Sequence, residues 1–167
     1  YEGAFLGAMV RAGEFNPIYG VVSQISTTPL DPGRRSVARG EEEPTEEAVY
    51  RNNPQLSKLL RTEIKATIVG YQNGTKVEQH LPPNPPRIHS FVECCLPEEV
   101  NKITQQLDFL PFLLSDTGIT GDETIVAFLR QASFSHGNPE EFLRNAGRLL
   151  PRLIVRDFQR VTTILRS

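Results

Sequence analysis

The chain has 167 residues, which is enough for one ordinary domain or for two small domains that share a core. Its composition, 38% hydrophobic and 23% charged, is typical of globular soluble proteins, and its formal net charge of −2 gives no whole-chain attraction to nucleic acids or membranes. No apolar run approaches the roughly 20 residues that span a bilayer, and the N-terminus lacks the pattern of a signal peptide.

The first half of the chain has the pattern of short β-strands. Residues 4–10 are apolar, and residues 18–26 are rich in the β-branched side chains that favour strands. Residues 31–47 differ, because Gly, Pro and runs of like charge there predict a charged loop. Asn53 and Pro54 then supply the N-cap and first position of a short predicted helix.

Alternation of apolar and polar residues returns at residues 62–71 and predicts another strand. Asn73-Gly74 follows as a hairpin signal, so residues 76–81 are the predicted return strand. Residues 88–95 supply one more strand. Several short strands separated by turn signals predict a small, closed or half-closed β-barrel.

Four prolines fall within LPPNPPRIH, residues 81–89. Two P-x-x-P patterns are present, so the segment could offer a polyproline II helix to a partner. However, it lies between two predicted strands, and proline cannot donate a hydrogen bond to a sheet. We therefore interpret it as a rigid barrel connection in preference to a docking motif.

Beyond Leu96 the apolar period changes from two to about 3.6, which predicts helices. The first starts at Pro97 with an apolar stripe up to Leu110, and Pro111 is expected to end or kink it. A second helix has a capping box of Thr120 and Glu123.

Asn138, with proline next and Glu141 at the third helical position, is a strong start signal for a third helix. Pro151 is predicted to open a fourth. Strands first and helices second is an α+β pattern. The predicted organisation is a β-barrel over residues 1–95, followed by a helical part of about four short helices over residues 96–167.

The sequence contains no motif for catalysis or for nucleotide binding: G-x-x-x-x-G-K-[ST], G-x-G-x-x-G and G-x-S-x-G are all missing from these 167 residues. No catalytic residue and no cofactor is therefore assigned, and an enzyme with an unrecognised site is the least favoured of the hypotheses.

His89, Cys94 and Cys95 form the one cluster weighed as a metal site. Adjacent strand residues point to opposite faces, so only one of the two cysteines could serve as a ligand, and no metal is assigned. For the same reason the two cysteines do not pair, and they are the whole cysteine content. A chain without a disulfide framework is expected in the reducing cytoplasm.

The candidate interaction residues are five arginines that recur every fourth residue near the end of the chain: Arg144, Arg148, Arg152, Arg156 and Arg160. This spacing keeps neighbours on one helical face. Arginine favours contact with phosphates and carboxylates, so a neighbouring subunit is the first interpretation and DNA the second. A solvated face that pairs in part with the acidic helices next to it is the alternative.

The order of three stretches resembles the region that precedes the ATPase core in HerA-type proteins, the hexameric DNA-translocating ATPases of the FtsK/HerA group. These stretches are NNPQLSKLLRTEIKATIVGY, HLPPNPPRIHSFV and FLRNAGRLLPRLIVRDFQRVTTILRS. The resemblance implies that the β-barrel is of the HAS type, with PIYGVVSQIS as one of its strands. It also implies an N-terminal fragment of a longer ATPase, with ATP and Mg²⁺ bound only in a downstream domain.

The expected function is therefore a non-catalytic assembly and partner-docking module of a HerA-like translocase that acts in DNA repair or processing. The implied partners are further copies of the chain in a ring and a NurA-type nuclease, with DNA contacted through the full-length protein. The alternative is a free-standing adaptor domain that binds protein through the proline segment or a barrel edge and has no ATPase.

Overall fold

The computed structural model describes residues 3–29, 60–115 and 121–154, together with residues 45, 48, 51, 52, 164 and 166. The chain forms two compact units, Tyr1–Gln24 with Lys65–Ser167, and Ile25–Ile64. In the smaller unit, Arg61 and Glu63 form an ion pair with a nitrogen–oxygen distance of 2.7 Å. The predicted charged loop lies almost entirely outside the described residues, as does the predicted helix from Asn53.

The strands form one curled antiparallel sheet, a half-barrel. Its spatial order is β4-β3-β2-β1-β5, so β4 and β5 are its two edges. The strands are β1 (Met9–Ala12), β2 (Ile18–Pro29), β3 (Leu60–Asn73), β4 (Lys76–Glu78) and β5 (Val92–Cys94). Helices follow: α1 (Pro97–Ile103), α2 (Leu110–Ser115), α3 (Gly121–Ser133) and α4 (Pro139–Leu153). The predicted α+β class, with the strands N-terminal, is confirmed.

Three strands are shorter than predicted, and tertiary contacts explain two of the differences. β1 starts five residues late because Gly7, with a φ of +79°, turns the chain just before it. β4 ends at Glu78 because the next side chain, that of Gln79, bonds to the helical part instead. β5 covers only three of the eight predicted residues.

The hairpin between β3 and β4 is confirmed, but its turn is displaced by one residue. Asn73 pairs with Lys76, so the two loop residues are Gly74 and Thr75. Gly74 has a φ of +60°, and of these two residues it alone is in the left-handed region. Type II′ turns place glycine at this first loop position, whereas the predicted Asn-Gly pair is typical of type I′.

Two predictions about proline were wrong. Pro111 does not end a helix, because it is the second residue of α2, where the missing N–H costs nothing. Pro151 does not open a helix, because α4 continues through it to Leu153. The buried Leu150 anchors this last turn, and its carbonyl accepts from the Ile154 N–H at 3.0 Å.

One apolar core joins the inner face of the sheet to the helices. Phe109 and Phe128 lie at its centre with their rings edge to face, 5.6 Å apart, and Val21 and Val69 come from the sheet. No helix among the described residues is both long enough and apolar enough to cross a membrane.

Gln79 ties the end of β4 to the helical part. Its amide donates to the carbonyls of Ile103 at 2.7 Å and Gln106 at 2.9 Å, and its carbonyl accepts from the Asp108 N–H at 2.9 Å. All three partners are backbone groups at or beyond the end of α1, so this side chain fixes where the helical part meets the sheet.

Candidate functional site

The arginines with step-four spacing lie on the outer face of α4. Arg144, Arg148 and Arg152 are all exposed. The opposite face of the helix is buried through Phe142, Ala146 and Leu150. We call these three arginines the arginine row. Arg156 and Arg160 lie outside the described residues.

Local signals place the row on a single helix. The Asn138 side chain accepts from the Glu141 N–H at 3.1 Å, which caps α4 as predicted, and Pro139 occupies its first position. Because α4 runs through Pro151, Arg152 continues the line of Arg144 and Arg148. Each step of four residues advances about 6 Å along the axis and turns by about 40°.

The arginine row forms no ion pair with any residue that the structure describes. Pairing with the acidic helices next to it was the main alternative explanation for these side chains, and for these three members it does not occur within the described ranges. Three exposed guanidinium groups on one helical face, with no ion pair to a described residue, can bind carboxylates or phosphates with little rearrangement.

The proline segment lies in the open. Residues 83–89 are all exposed, and Pro82 is half-buried. The segment lines one side of a groove of about 800 Å³, with Tyr71 and the β1–β2 turn around Phe15 among the other lining residues. A connection that is exposed along its length remains available to a partner, so both interpretations of the segment stay predictions.

The two cysteines of the candidate metal cluster lie in different environments. Cys94 is exposed and Cys95 is half-buried. Burial raises the pKa of the Cys95 thiol to about 12, with a further contribution from Glu99, so this thiol stays protonated at neutral pH. Within the described ranges, no group of three or more His, Cys, Asp or Glu side chains is arranged to hold a metal ion.

A charged cluster at the β5 edge joins three elements that are distant in the sequence. Arg11 of β1 donates to Glu93 of β5 at 2.9 Å and to Glu99 of α1 at 3.0 Å. The hydrogen bond to Glu93 and the charge of Glu99 raise the pKa of Arg11. The second oxygen of Glu99 accepts from the Leu96 N–H at 2.9 Å, so one carboxylate both caps α1 and holds the sheet edge.

His136 forms hydrogen bonds through both of its ring nitrogens, and it was not singled out from the sequence. Its Nε2 lies 2.8 Å from the hydroxyl of Thr104, and its Nδ1 lies 3.3 Å from the amide nitrogen of Asn101. The Thr104 hydroxyl donates to the Val100 carbonyl at 2.7 Å, so it accepts from Nε2–H. Nδ1 then accepts from Asn101, which fixes a neutral ring.

This geometry excludes one chemical role. A nucleophilic hydroxyl must give its proton to the base, whereas the Thr104 proton is held by the Val100 carbonyl and the hydroxyl is buried. The imidazole also stacks on Phe142, with ring centroids 4.2 Å apart. The arrangement therefore stabilises the junction of α1 and α4 and does not form a nucleophile–base pair.

Replacing His136 with glutamine should make stability less dependent on pH. Burial lowers the pKa of His136 below its ordinary value, so the unfolded chain binds this proton more readily. The stabilisation is fully present above about pH 6.5 and is lost as the pH falls through the lower folded pKa. Chemical denaturation at pH 7.5 and pH 5 should show a wild-type loss that exceeds the variant's by about 1 kcal/mol or less, because the ring is only half-buried.

A His136→Gln variant with the same pH dependence as the wild type would contradict the assigned neutral ring.

Comparison of the whole chain with protein-family profiles, with curated proteins and with solved structures gives no match.

Proposed function

We propose that this chain is a non-catalytic module for subunit assembly and partner docking, as in the HerA-like hexameric DNA translocases whose N-terminal region its sequence resembles. The observation that carries the proposal is the arginine row, which presents three exposed guanidinium groups on one helix without an ion pair among the described residues. Such a surface is suited to a partner that supplies carboxylates.

The charge of the helical region indicates where those carboxylates come from. Residues 96–137 carry two basic and six acidic side chains, a local charge of −4, whereas residues 138–167 carry six basic and three acidic ones, a local charge of +3. Acidic side chains of this segment in one copy, placed against the arginine row of the next, would make a head-to-tail contact. Contacts of this type form a ring when the rotation between successive copies closes, and a closed ring is the assembly proposed here.

The second part of the proposal concerns the longer protein to which this chain would belong. A HerA-like translocase would carry its ATP and Mg²⁺ site in a domain downstream of this chain, and a NurA-type nuclease would be its docking partner. The reading frame of the gene is then expected to continue past Ser167 into a G-x-x-x-x-G-K-[ST] loop. A stop codon directly after Ser167 would contradict this part of the proposal and leave the assembly role to be tested separately.

Reversing the charge of the arginine row should weaken self-association. For the triple variant Arg144→Glu, Arg148→Glu, Arg152→Glu, we expect the association constant to fall about tenfold or more, because each exposed pair contributes up to about 1 kcal/mol and is replaced by repulsion. Sedimentation velocity across a concentration series at low salt measures this change, and added salt should weaken the wild-type assembly.

A control with the same charge change is Arg61→Glu, Lys76→Glu, Arg87→Glu, which alters exposed cations outside α4 and outside the acidic segment and should associate like the wild type. Equal association of all three proteins would overturn the assembly role. Salt-dependent binding of duplex DNA that is lost only in the arginine-row variant, with association unchanged, would assign the row to DNA instead.

The free-standing adaptor is retained as a second function because the proline segment is exposed, with Pro83, Pro85 and Pro86 all accessible. An adaptor of this kind would bind a protein without any ATPase in the same polypeptide. The downstream reading frame distinguishes the two functions.

A further inference from the structure

β5 is a sheet edge whose outward backbone groups have no partner in the described part of the chain. The Cys95 N–H donates to the Met9 carbonyl at 2.8 Å, and the Gly13 N–H donates to the Phe91 carbonyl at 3.2 Å. Since antiparallel pairing alternates, residues 91, 93 and 95 bond toward β1. The N–H and C=O groups of Val92 and Cys94 therefore point away from the sheet.

Water can solvate these exposed groups, but a protein partner that pairs with them must be extended, because a β-strand supplies donors and acceptors at matching intervals. β5 has no lysine or proline, which commonly block an edge strand from pairing, and its short length and the charge of Glu93 favour a short partner strand with a matching cation. All three of its residues are exposed. Among the residues that the structure describes, none pairs with this edge, which is thus accessible to one more strand.

The flanks of β5 determine which side chains such a strand would carry. At the C-terminal end of β5 lies a cavity of about 300 Å³, lined by Phe5, Cys94, Phe134 and other residues, none of which is charged. At the N-terminal end, Phe91 is 80% exposed. A large apolar side chain fits at each end.

The centre of β5 has the opposite character. The Glu93 side chain is 62% exposed although it pairs with Arg11, so its carboxylate can accept a second cation. Glu93 lies on the same strand face as Phe91 and Cys95. A strand added to this edge would place a lysine or arginine opposite Glu93, two residues from each apolar position.

We infer that β5 binds an extended segment of a partner protein as an added antiparallel strand with the pattern apolar–x–Lys/Arg–x–apolar. The first apolar residue enters the cavity beside Cys94, the basic residue meets Glu93, and the last apolar residue packs on Phe91. The inference names the partner chemistry for the docking half of the proposed function and rests on it, but it uses no residue of the arginine row.

A labelled synthetic peptide, Thr-Leu-Thr-Lys-Thr-Phe-Thr, tests the pairing by fluorescence anisotropy. The two threonines that lie between leucine, lysine and phenylalanine face Val92 and Cys94, so methylating their backbone nitrogens should weaken binding about tenfold or more. The backbone nitrogens of lysine and phenylalanine point away from β5, so methylating these two instead should change the affinity of the peptide less than about threefold. The protein is identical in both arms, so its folding does not affect the comparison.

The charge contact is tested with a double-mutant cycle. We expect Glu93→Gln in the protein to weaken peptide binding about threefold, and replacing the peptide lysine with glutamine to do the same. The two changes together should weaken binding little more than either one alone. No binding at about 1 mM peptide, equal loss from both methylation patterns, or fully additive charge changes would overturn the inference. Competition by unlabelled chain at β5 would also overturn it, because the occupant would then be a second copy.

The two proposals fail separately. If the wild-type chain does not bind the peptide but self-associates in a salt-dependent way, the docking inference is overturned and the assembly role is kept. If it does neither, both roles are overturned.

Discussion

Replacing Gly7 with alanine is expected to destabilise the fold by about 3 kcal/mol or more, the largest effect of any single-methyl addition that we predict. Gly7 has a φ of +79°, a conformation that costs any other residue about 1 kcal/mol or more. A Cβ atom there would also lie 2.5 Å from the backbone nitrogen of Phe128 and 2.6 Å from the carbonyl carbon of Ala127. These are backbone atoms of α3, so the helix would have to move.

Two other glycines separate the causes. Gly13 has a φ of +90°, but a methyl group added there would have no neighbouring atom within 4 Å, so Gly13→Ala should show the conformational cost alone, about 1 kcal/mol. Gly3 has neither constraint, and Gly3→Ala should be close to neutral. Urea denaturation followed by circular dichroism ranks the three variants. Gly7→Ala as mild as Gly13→Ala would show that α3 does not lie against this turn.

Truncating Phe109 to alanine is expected to cost about 3 to 5 kcal/mol. The side chain is fully buried, and its ring packs edge to face on Phe128 at 5.6 Å. Removing it leaves a cavity between the sheet and the helices, which cannot collapse without moving both. Thermal and urea unfolding of the variant measure the loss of stability. The variant is expected to be partly unfolded at 25 °C if the wild-type stability lies near about 5 kcal/mol.

Phe15 is the matched control, since it is 90% exposed and Phe15→Ala should change the unfolding free energy by less than about 0.5 kcal/mol. Phe109→Leu should fall between the two. A Phe109→Ala protein as stable as the Phe15→Ala protein would contradict the position of Phe109 in the core.

The fold class could be predicted because local periodicity is strong in both halves of the chain. Val21 and Val22 belong to a β-branched run, and Asn138 and Pro139 are a local start signal for a helix, which α4 follows. Strand ends could not be predicted in the same way. Gly7 sets the start of the first strand by turning the chain close to α3, and Gln79 follows the end of the fourth, where its side chain bonds to the helical part.

The arginine row was likewise predicted in part from local spacing and depends in part on tertiary contacts. Spacing alone predicted a shared face for Arg144 and Arg148, but Pro151 suggested a break before Arg152. A single proline near the end of a helix is tolerated when the turn is anchored by a buried side chain, here Leu150. The His136 hydrogen bonds and the position of β5 at the sheet edge depend on partners more than 30 residues away, so no local pattern indicates them.

The charged cluster of Arg11, Glu93 and Glu99 joins parts of the chain that are synthesised at different times. Arg11 and Glu93 are 82 positions apart, so β1 keeps an unpaired side until β5 has left the ribosome. At about 5 to 20 residues per second this interval is roughly 4 to 16 seconds. Contacts of such long sequence separation also form slowly once both strands are present. The nascent chain therefore carries an exposed β1 for seconds, and the last side chain needed to secure it, Glu99, arrives with the first turn of the helical part.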